Sequence, residues 1–374
     1  MKKPKKVALV VDWLTEGFGG GERVIKAVHE LFPDAPIYTS QYRPRKTAWL
    51  VNADVRVGWL NVLPAWSRRL TPFLRQWYFS RLDLNDYNLV ISITGAEAKS
   101  VKTRDDALHV SYMHAPTQYY WTLYDDYMAN PGFGFLNPLA RFVLKLLVEP
   151  LRRADYAAAQ RPDVVVANSS YIRAEIKKHY GRESVVVWPN VAVEVIQAIS
   201  EEPSQKRNGF IVYGRQVSWK RIDLAIDAVL KAGEHLYVVG DGPEHERLVE
   251  LAGGSPSIEF LPRYRGVAEI VPLIRASKAF LFPSIEPFGI APVEALAAGT
   301  PVIALQKGGS LDFIQEGKNG VFFDEQTIDS LAAAMQKFNS LTFDTNQVAA
   351  SAKQFSETEF KQRLNSLINE SLGV

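Results

Sequence analysis

The stretch Pro283–Ala304, PSIEPFGIAPVEALAAGTPVIA, is small and apolar in the manner of a buried segment, yet it holds two carboxylates, Glu286 and Glu294, with seven residues between them. Carboxylates accept hydrogen bonds in pairs, which is what a sugar diol requires. The plainer readings are that Glu294 is an acid favoured by the positive end of a helix and that Glu286 is a solvated loop residue. Taken together, and with Gly289 allowing close backbone approach, the two read as hydroxyl binders.

Three other stretches carry candidate chemistry. In VYGRQVSWKRIDLAI, Arg215 and Lys220 fall between a strand and a helix. Cations beside free helix N–H groups make an anion site, here read as one for a diphosphate; two exposed basic residues are the alternative. TEGFGGGERV follows the first strand, but Glu22 stands where a dinucleotide fingerprint needs its last glycine, and no Gly-Lys-Ser/Thr follows. Its Gly20 and Gly21 allow approach of a phosphate or an acceptor, with a flexible turn as the alternative. In HVSYMHAPTQYYW, His114 lies just past a strand and before Pro116, where its ring could meet a sugar hydroxyl or a reacting group. His109, within the strand, is assigned to structure.

These loops need elements to position them. KVALVV, YNLVISI, ALHVSY, PDVVVANS and SVVVWPNV read as strands, and SYIRAEIKKHY as an amphipathic helix. After the polar, proline-bearing segment Glu201–Gly209 the rhythm restarts: FIVYG, HLYVVG, AFLFPS and PVIAL as strands, RIDLAIDAVLKA, EHERLVELA and VEALAAG as helices. This alternation predicts an α/β chain of two doubly wound, Rossmann-like parallel-sheet domains. The expected boundaries are 1–200, 201–355 and a terminal helix over 356–374, capped by Ser356 and packing back toward the first domain. Pro292 suits a first helical turn, which places Glu294 in that turn, and Gly299 ends the helix. Ligands of open α/β sheets bind beyond the carboxyl ends of the strands, so a cleft between the domains is the expected site.

Composition sets limits. The chain of 374 residues is 47% hydrophobic and 22% charged, as globular proteins are, and its net charge of +2 makes no case for nucleic acid. It has no cysteine, which excludes disulfides, thiolate metal sites and a cysteine nucleophile. No Asp-x-Asp occurs, so the usual carboxylate pair for a diphosphate-bound cation is missing and no metal is expected. No window approaches the roughly 18 apolar residues of a membrane span, and the basic start runs straight into a first strand, so the expected location is cytoplasmic.

EPFGIAPVEALAAGTPVIA resembles the E-x7-E motif of retaining nucleotide-sugar glycosyltransferases of family 4, which have the GT-B fold, with two Rossmann-like domains facing across a cleft. The resemblance extends over nearly the whole chain, through GGGERV, YMHAP, NSSYIR, the GR and WK pairs, VGDGP and KGGSLDFI, and within the family it is nearest to bacterial mannosyltransferases of polysaccharide assembly. It implies that Glu294 holds the ribose hydroxyls of a donor nucleotide. Glu286, with the backbone N–H groups of Phe288, Gly289 and Ile290, would hold the sugar. Arg215 and Lys220 would bind the diphosphate and stabilise it as leaving group. Gly20 and Gly21 would border diphosphate and acceptor, and His114 the transferred sugar. The implied donor is GDP-mannose or a UDP sugar, with no resident cofactor, and the implied acceptor a glycan or lipid-linked glycan. Two departures stand out: Lys220-Arg221 replaces the family's Lys-Gly, and Asp312 stands where Gly-Gly-x-x-Glu has its glutamate.

Rival readings are a sugar-nucleotide epimerase or phosphorylase-like enzyme of the same architecture, and a silent subunit that only binds a glycan or nucleotide. A last expectation concerns an anionic membrane surface on the inner face of the plasma membrane. Leu63–Leu82 mixes Trp66, Phe73, Trp77, Tyr78 and Phe79 with Arg68, Arg69, Arg75 and Arg81. A helix capped by Thr71 is expected from Pro72, with Phe73, Leu74, Trp77 and Tyr78 on one side and Arg75 opposite. Arg141–Tyr156 is a second basic-apolar segment. Ordinary packing with solvated arginines is the alternative.

Overall fold

The computed structural model describes residues 6–69, 71–129, 134, 137–199 and 207–373, with the side chains of Arg68 and Arg69 outside that description. The chain divides into two units, one of Met1–Trp188 with Lys361–Val374 and one of Pro189–Phe360. Most of the expected polar link at Glu201–Gly209 lies outside the described residues.

In the first unit seven strands form one parallel sheet: β1 (Val7–Val11), β2 (Ile37–Thr39), β3 (Val55–Val57), β4 (Leu89–Thr94), β5 (Leu108–Met113), β6 (Val164–Ala167) and β7 (Val185–Val186). Their order is β3-β2-β1-β4-β5-β6-β7. Strands buried on both faces read as near-continuous apolar runs, and β4, LVISIT, is buried along its whole length. The strand expected in SVVVWPNV shortens to the two residues of β7, because only Val185 and Val186 find partners in β6. β3, an edge strand, and β2 beside it, three residues each, carry too little pattern to be read in advance. Helix Ser170–Tyr180 starts as its sequence predicts: the Ser169 hydroxyl accepts from the Ile172 N–H at 3.0 Å, and Gly181 closes it at φ 63°.

In the second unit six parallel strands follow: β8 (Phe210–Tyr213), β9 (Leu236–Val239), β10 (Ile258–Leu261), β11 (Ala279–Phe282), β12 (Val302–Leu305) and β13 (Gly320–Phe323). Their order is β10-β9-β8-β11-β12-β13. Phe210, Leu281, Ile303 and Val321 point into one core with Leu224, Val229, Leu331 and Met335 of the covering helices; each such side chain contributes about 1.5–3 kcal/mol by leaving water. The fold class is the expected one, two Rossmann-like α/β domains.

The terminal helix is Glu357–Ser371, and the Ser356 hydroxyl accepts from the Glu359 N–H at 3.2 Å, as a cap does. From Lys361 onward it belongs with the first unit, where Lys361 Nζ lies 2.5 Å from Glu30 Oε2 and Arg363 stacks 4.6 Å from the Trp188 ring.

Candidate functional site

The order of the second sheet reverses direction between β8 and β11, and at such a switch point the two following loops part to leave a crevice. Residues 214–221 follow β8 and residues 283–289 follow β11. Lys220 Nζ and Glu286 Oε1 meet there at 2.6 Å, with side chains about one-fifth exposed. Ser284, fully buried, donates its hydroxyl to the same Oε1 at 3.0 Å. Glu286 is therefore an oriented, charge-paired group rather than a solvated loop acid. Arg215 is exposed and makes no hydrogen bond or ion pair with another described residue.

Glu294 sits differently from the expectation. Helix Ile290–Ala297 begins at Ile290, with Gly289 at its N-cap, so Glu294 is in the second turn rather than the first, and it is buried. The helix starts there because Gly289 turns the chain at φ 113°, and a Cβ at that position would meet Phe282 at 2.9 Å and Pro292 at 3.0 Å. It ends as predicted: Gly299, at φ 81°, lets its own N–H reach Leu296 and the Thr300 N–H reach Ala295. The N–H groups of Phe288, Gly289 and Ile290 find no acceptor among the described residues, the ordinary state of a helix start and the one that suits an incoming ligand.

The loops are locked by glycines that sequence reading valued only loosely. A Cβ on Gly309 would lie 2.2 Å from the Phe288 carbonyl oxygen, and the Gly309 N–H donates to the Glu286 carbonyl at 2.9 Å. A Cβ on Gly242 would lie 2.2 Å from the Gln216 carbonyl oxygen. Gln216, buried, donates to the Gly240 carbonyl at 3.0 Å and pairs with His245 Nδ1 at 2.8 Å. Arg221 adopts the left-handed conformation, φ 52°, at the start of helix Ile222–Ala232. That conformation favours glycine and costs an L-residue about 1–2 kcal/mol.

In the first unit the corresponding reversal falls between β1 and β4. Asp12, at the end of β1, accepts from the N–H groups of Gly95 (2.8 Å), Ala96 (3.1 Å) and Ala98 (2.7 Å) and so fixes the loop after β4. Helix Gly20–Leu31 starts at Gly20, so Gly20 and Gly21 belong to its first turn rather than to a loop before it, Gly19 being the N-cap. The structure brings Gly21 to His114: a Cβ there would stand 3.6 Å from His114 Nε2. Loss of hydration pushes the His114 imidazole down to about 4, so it is neutral near pH 7. A neutral ring can donate or accept a hydrogen bond but supplies no cation. His109 is buried in β5, 2.9 Å from the Ser92 hydroxyl.

The basic-aromatic segment packs differently from the expectation. Arg75 does not lie opposite the apolar side in contact with solvent. It is buried, with Nε 2.8 Å from Glu97 Oε2, and Glu97 also takes the Tyr119 hydroxyl. Arg75 turns inward because Glu97 neutralises it and the Trp13 ring covers it at 5.3 Å. Tyr78 is likewise buried, whereas Phe73 and Trp77 are exposed. Thr71 holds the N-cap position of helix Pro72–Phe79, but its hydroxyl donates to the Ser67 carbonyl at 3.0 Å instead of capping.

Sequence reading named Glu286, Glu294, Arg215, Lys220, Gly289 and His114; it missed Tyr213, Ser284 and Gln216. Tyr213 and Gln216 flank the strand-end Gly214-Arg215 and Ser284 precedes Glu286 by two, so adjacency to named residues was the available signal.

The chain superposes on the crystal structure of Anabaena HepE in complex with UDP-glucose with a TM-score of 0.67 at 18% identity, covering 97% of this chain and 99% of that one. An uncharacterized glycosyltransferase of Methanocaldococcus jannaschii is 24% identical over 177 residues, 46% of this chain and 49% of the relative. The alpha-1,3/1,6-mannosyltransferase ALG2 of Dictyostelium discoideum is 34% identical over 93 residues, 24% of this chain and 22% of the relative. The chain thus spans about half the length, or less, of these curated relatives. Residues 195–356, which hold Arg215, Lys220, Glu286 and Glu294, match the model of the family described as glycosyl transferases group 1.

Proposed function

We propose that the protein is a retaining glycosyltransferase that moves a hexose from a nucleotide-diphosphate sugar to a glycan or lipid-linked glycan in polysaccharide assembly. The observation that carries the reading is the meeting of Lys220 and Glu286 at the switch point, beside a helix start with free N–H groups. A cation and a carboxylate at one place suit the two halves of a donor, phosphate and hydroxylated sugar. Lys220 and Arg215 bind the diphosphate and take up the charge that grows on it as the sugar leaves. Glu286 and the N–H groups of Phe288, Gly289 and Ile290 hold the sugar, and Glu294 the ribose. His114, neutral, hydrogen-bonds the transferred sugar, and Gly20 and Gly21 leave room for diphosphate and acceptor. In the front-face course that retention implies, the departing phosphate oxygen takes the proton of the acceptor hydroxyl, so no separate protein base is invoked.

GDP-mannose is the donor we favour, in keeping with the likeness to a mannosyltransferase. A UDP sugar is the second reading, favoured by a structural neighbour solved with UDP-glucose. Thermal shift with GDP, UDP and ADP selects the base, since a ligand stabilises the native state by mass action. Turnover of the matching nucleotide sugar, with and without a glycan acceptor, then tests the reaction. Sugar transferred to the acceptor with retained anomeric configuration supports the proposal. Release of free nucleotide with an epimerised sugar would assign the epimerase instead, and binding without turnover the silent subunit.

We also keep the proposal of reversible docking to the anionic inner face of the plasma membrane, on a revised surface. Trp66, Phe73 and Trp77 are exposed, and Arg81 stacks on Trp77 at 4.9 Å. Helix Asn137–Ala159 exposes Leu139, Phe142 and Leu146 on one stripe, with the exposed Arg141 and Lys145 to one side of it. Among the described residues no helix is long and apolar enough to cross a membrane. Co-sedimentation with vesicles that depends on anionic lipid and weakens in salt supports docking; no binding removes it.

A further inference from the structure

Tyr213 is the last residue of β8, and its ring is buried edge-on against Phe280 at 5.0 Å and Tyr264 at 5.6 Å. Its hydroxyl lies 2.8 Å from the Ala291 carbonyl oxygen and 3.1 Å from Glu294 Oε2. Both acceptors belong to helix Ile290–Ala297, so one phenol ties the carboxyl end of β8 to the helix beyond β11, across the switch point. A phenolic O–H has one proton, and here it serves two acceptors, a backbone carbonyl that cannot move and a carboxylate that can. The carbonyl fixes the phenol, and the fixed phenol selects the orientation of the carboxylate. A glutamate with three rotatable bonds binds a diol well only if its carboxylate already faces the two hydroxyls, since ordering it on binding subtracts from affinity.

We infer that Tyr213 is a positioning residue: through Glu294 it sets the discrimination of the site for a nucleotide with ribose hydroxyls over one without. The inference rests on the reading of Glu294 as the ribose ligand. Nothing in it requires Tyr213 to touch the nucleotide, and the phenol acts only through the carboxylate it orients.

The test is the ratio of affinities, by calorimetric titration of the full chain, for a nucleoside diphosphate over its 2′,3′-dideoxy analogue, with GDP and UDP as the probes. Glu294→Ala should lower the ratio about tenfold or more, the loss expected of a hydrogen-bonded charge. Tyr213→Phe, which keeps the ring and its packing, should lower it roughly three- to tenfold while leaving affinity for the dideoxy analogue unchanged. In the Glu294→Ala background, Tyr213→Phe should lower it no further. A merely structural role would lower the melting temperature and leave the ratio alone. A ratio unmoved by Tyr213→Phe but lowered by Glu294→Ala overturns the positioning role and spares the ribose site. A ratio unmoved by Glu294→Ala overturns both.

Discussion

Lys220 and Glu286, 66 residues apart in sequence, form an ion pair of 2.6 Å that joins the loop after β8 to the loop after β11. In the proposed function the lysine serves a diphosphate, so the carboxylate competes with the phosphate for the same ammonium. Glu286→Gln removes that competitor and a like charge beside the anion. Affinity for the nucleoside diphosphate should stay level or rise, while turnover of the nucleotide sugar falls about a hundredfold. A clear loss of nucleoside diphosphate affinity would show that Glu286 does not stand against the phosphate.

Glu294→Ala should act in the opposite way. It deletes a buried, hydrogen-bonded carboxylate, and nucleotide binding should weaken by about 1.5–3 kcal/mol. The same affinity in wild type and variant would end the ribose assignment.

Arg215 has no partner among the described residues, so its loss should leave folding nearly untouched. Arg215→Ala and Lys220→Ala should each lower turnover by orders of magnitude, because charge on the leaving group would go unmatched. Melting temperatures close to wild type, with normal turnover in both variants, would move the diphosphate to another place.

Two histidines give a pH signature. Burial pushes His109 down to about 3 and His114 to about 4, both below the ordinary value of 6.5. The unfolded chain therefore binds protons that the folded one does not. Stability from these groups is complete above about pH 6.5 and is lost as pH falls toward their folded values, by at most about 1.4 kcal/mol per pH unit for His109. Chemical denaturation from pH 7 to pH 5 should show a shallower decline in His109→Gln than in wild type; parallel declines would refute this. For His114 the readout is kinetic: kcat/KM should show no ionisation of this ring near 6.5, and His114→Ala should cut turnover with little change in nucleotide affinity.

Activity should need no divalent ion, since Lys220 and Arg215 supply fixed positive charge. Chelation should leave turnover unchanged; loss of activity restored by Mn²⁺ or Mg²⁺ would overturn this.

Much of the fold was written in local pattern. The runs VALVV, LVISIT, FIVY, AFLF and VIAL were legible as strands because a parallel strand buried on both faces is apolar nearly throughout. Gly299 and Pro292 marked helix ends for backbone reasons, a left-handed φ and a missing N–H, and Ser356 did so through its capping hydroxyl. Glu286 and Glu294 were legible because carboxylates are out of place in a buried segment. The sequence could not place Arg75: its charge reads as solvent-facing until Glu97, 22 residues on, neutralises it in the interior. Nor could it place the partners of the two glutamates. Tyr213 is 81 residues from Glu294, and Lys220 is 66 from Glu286. These pairs meet only because the sheet sets β8 beside β11. Local sequence determines which residues can do the chemistry, through side-chain type and backbone preference. Strand order, a property of long-range pairing, decides which of them stand within hydrogen-bond reach.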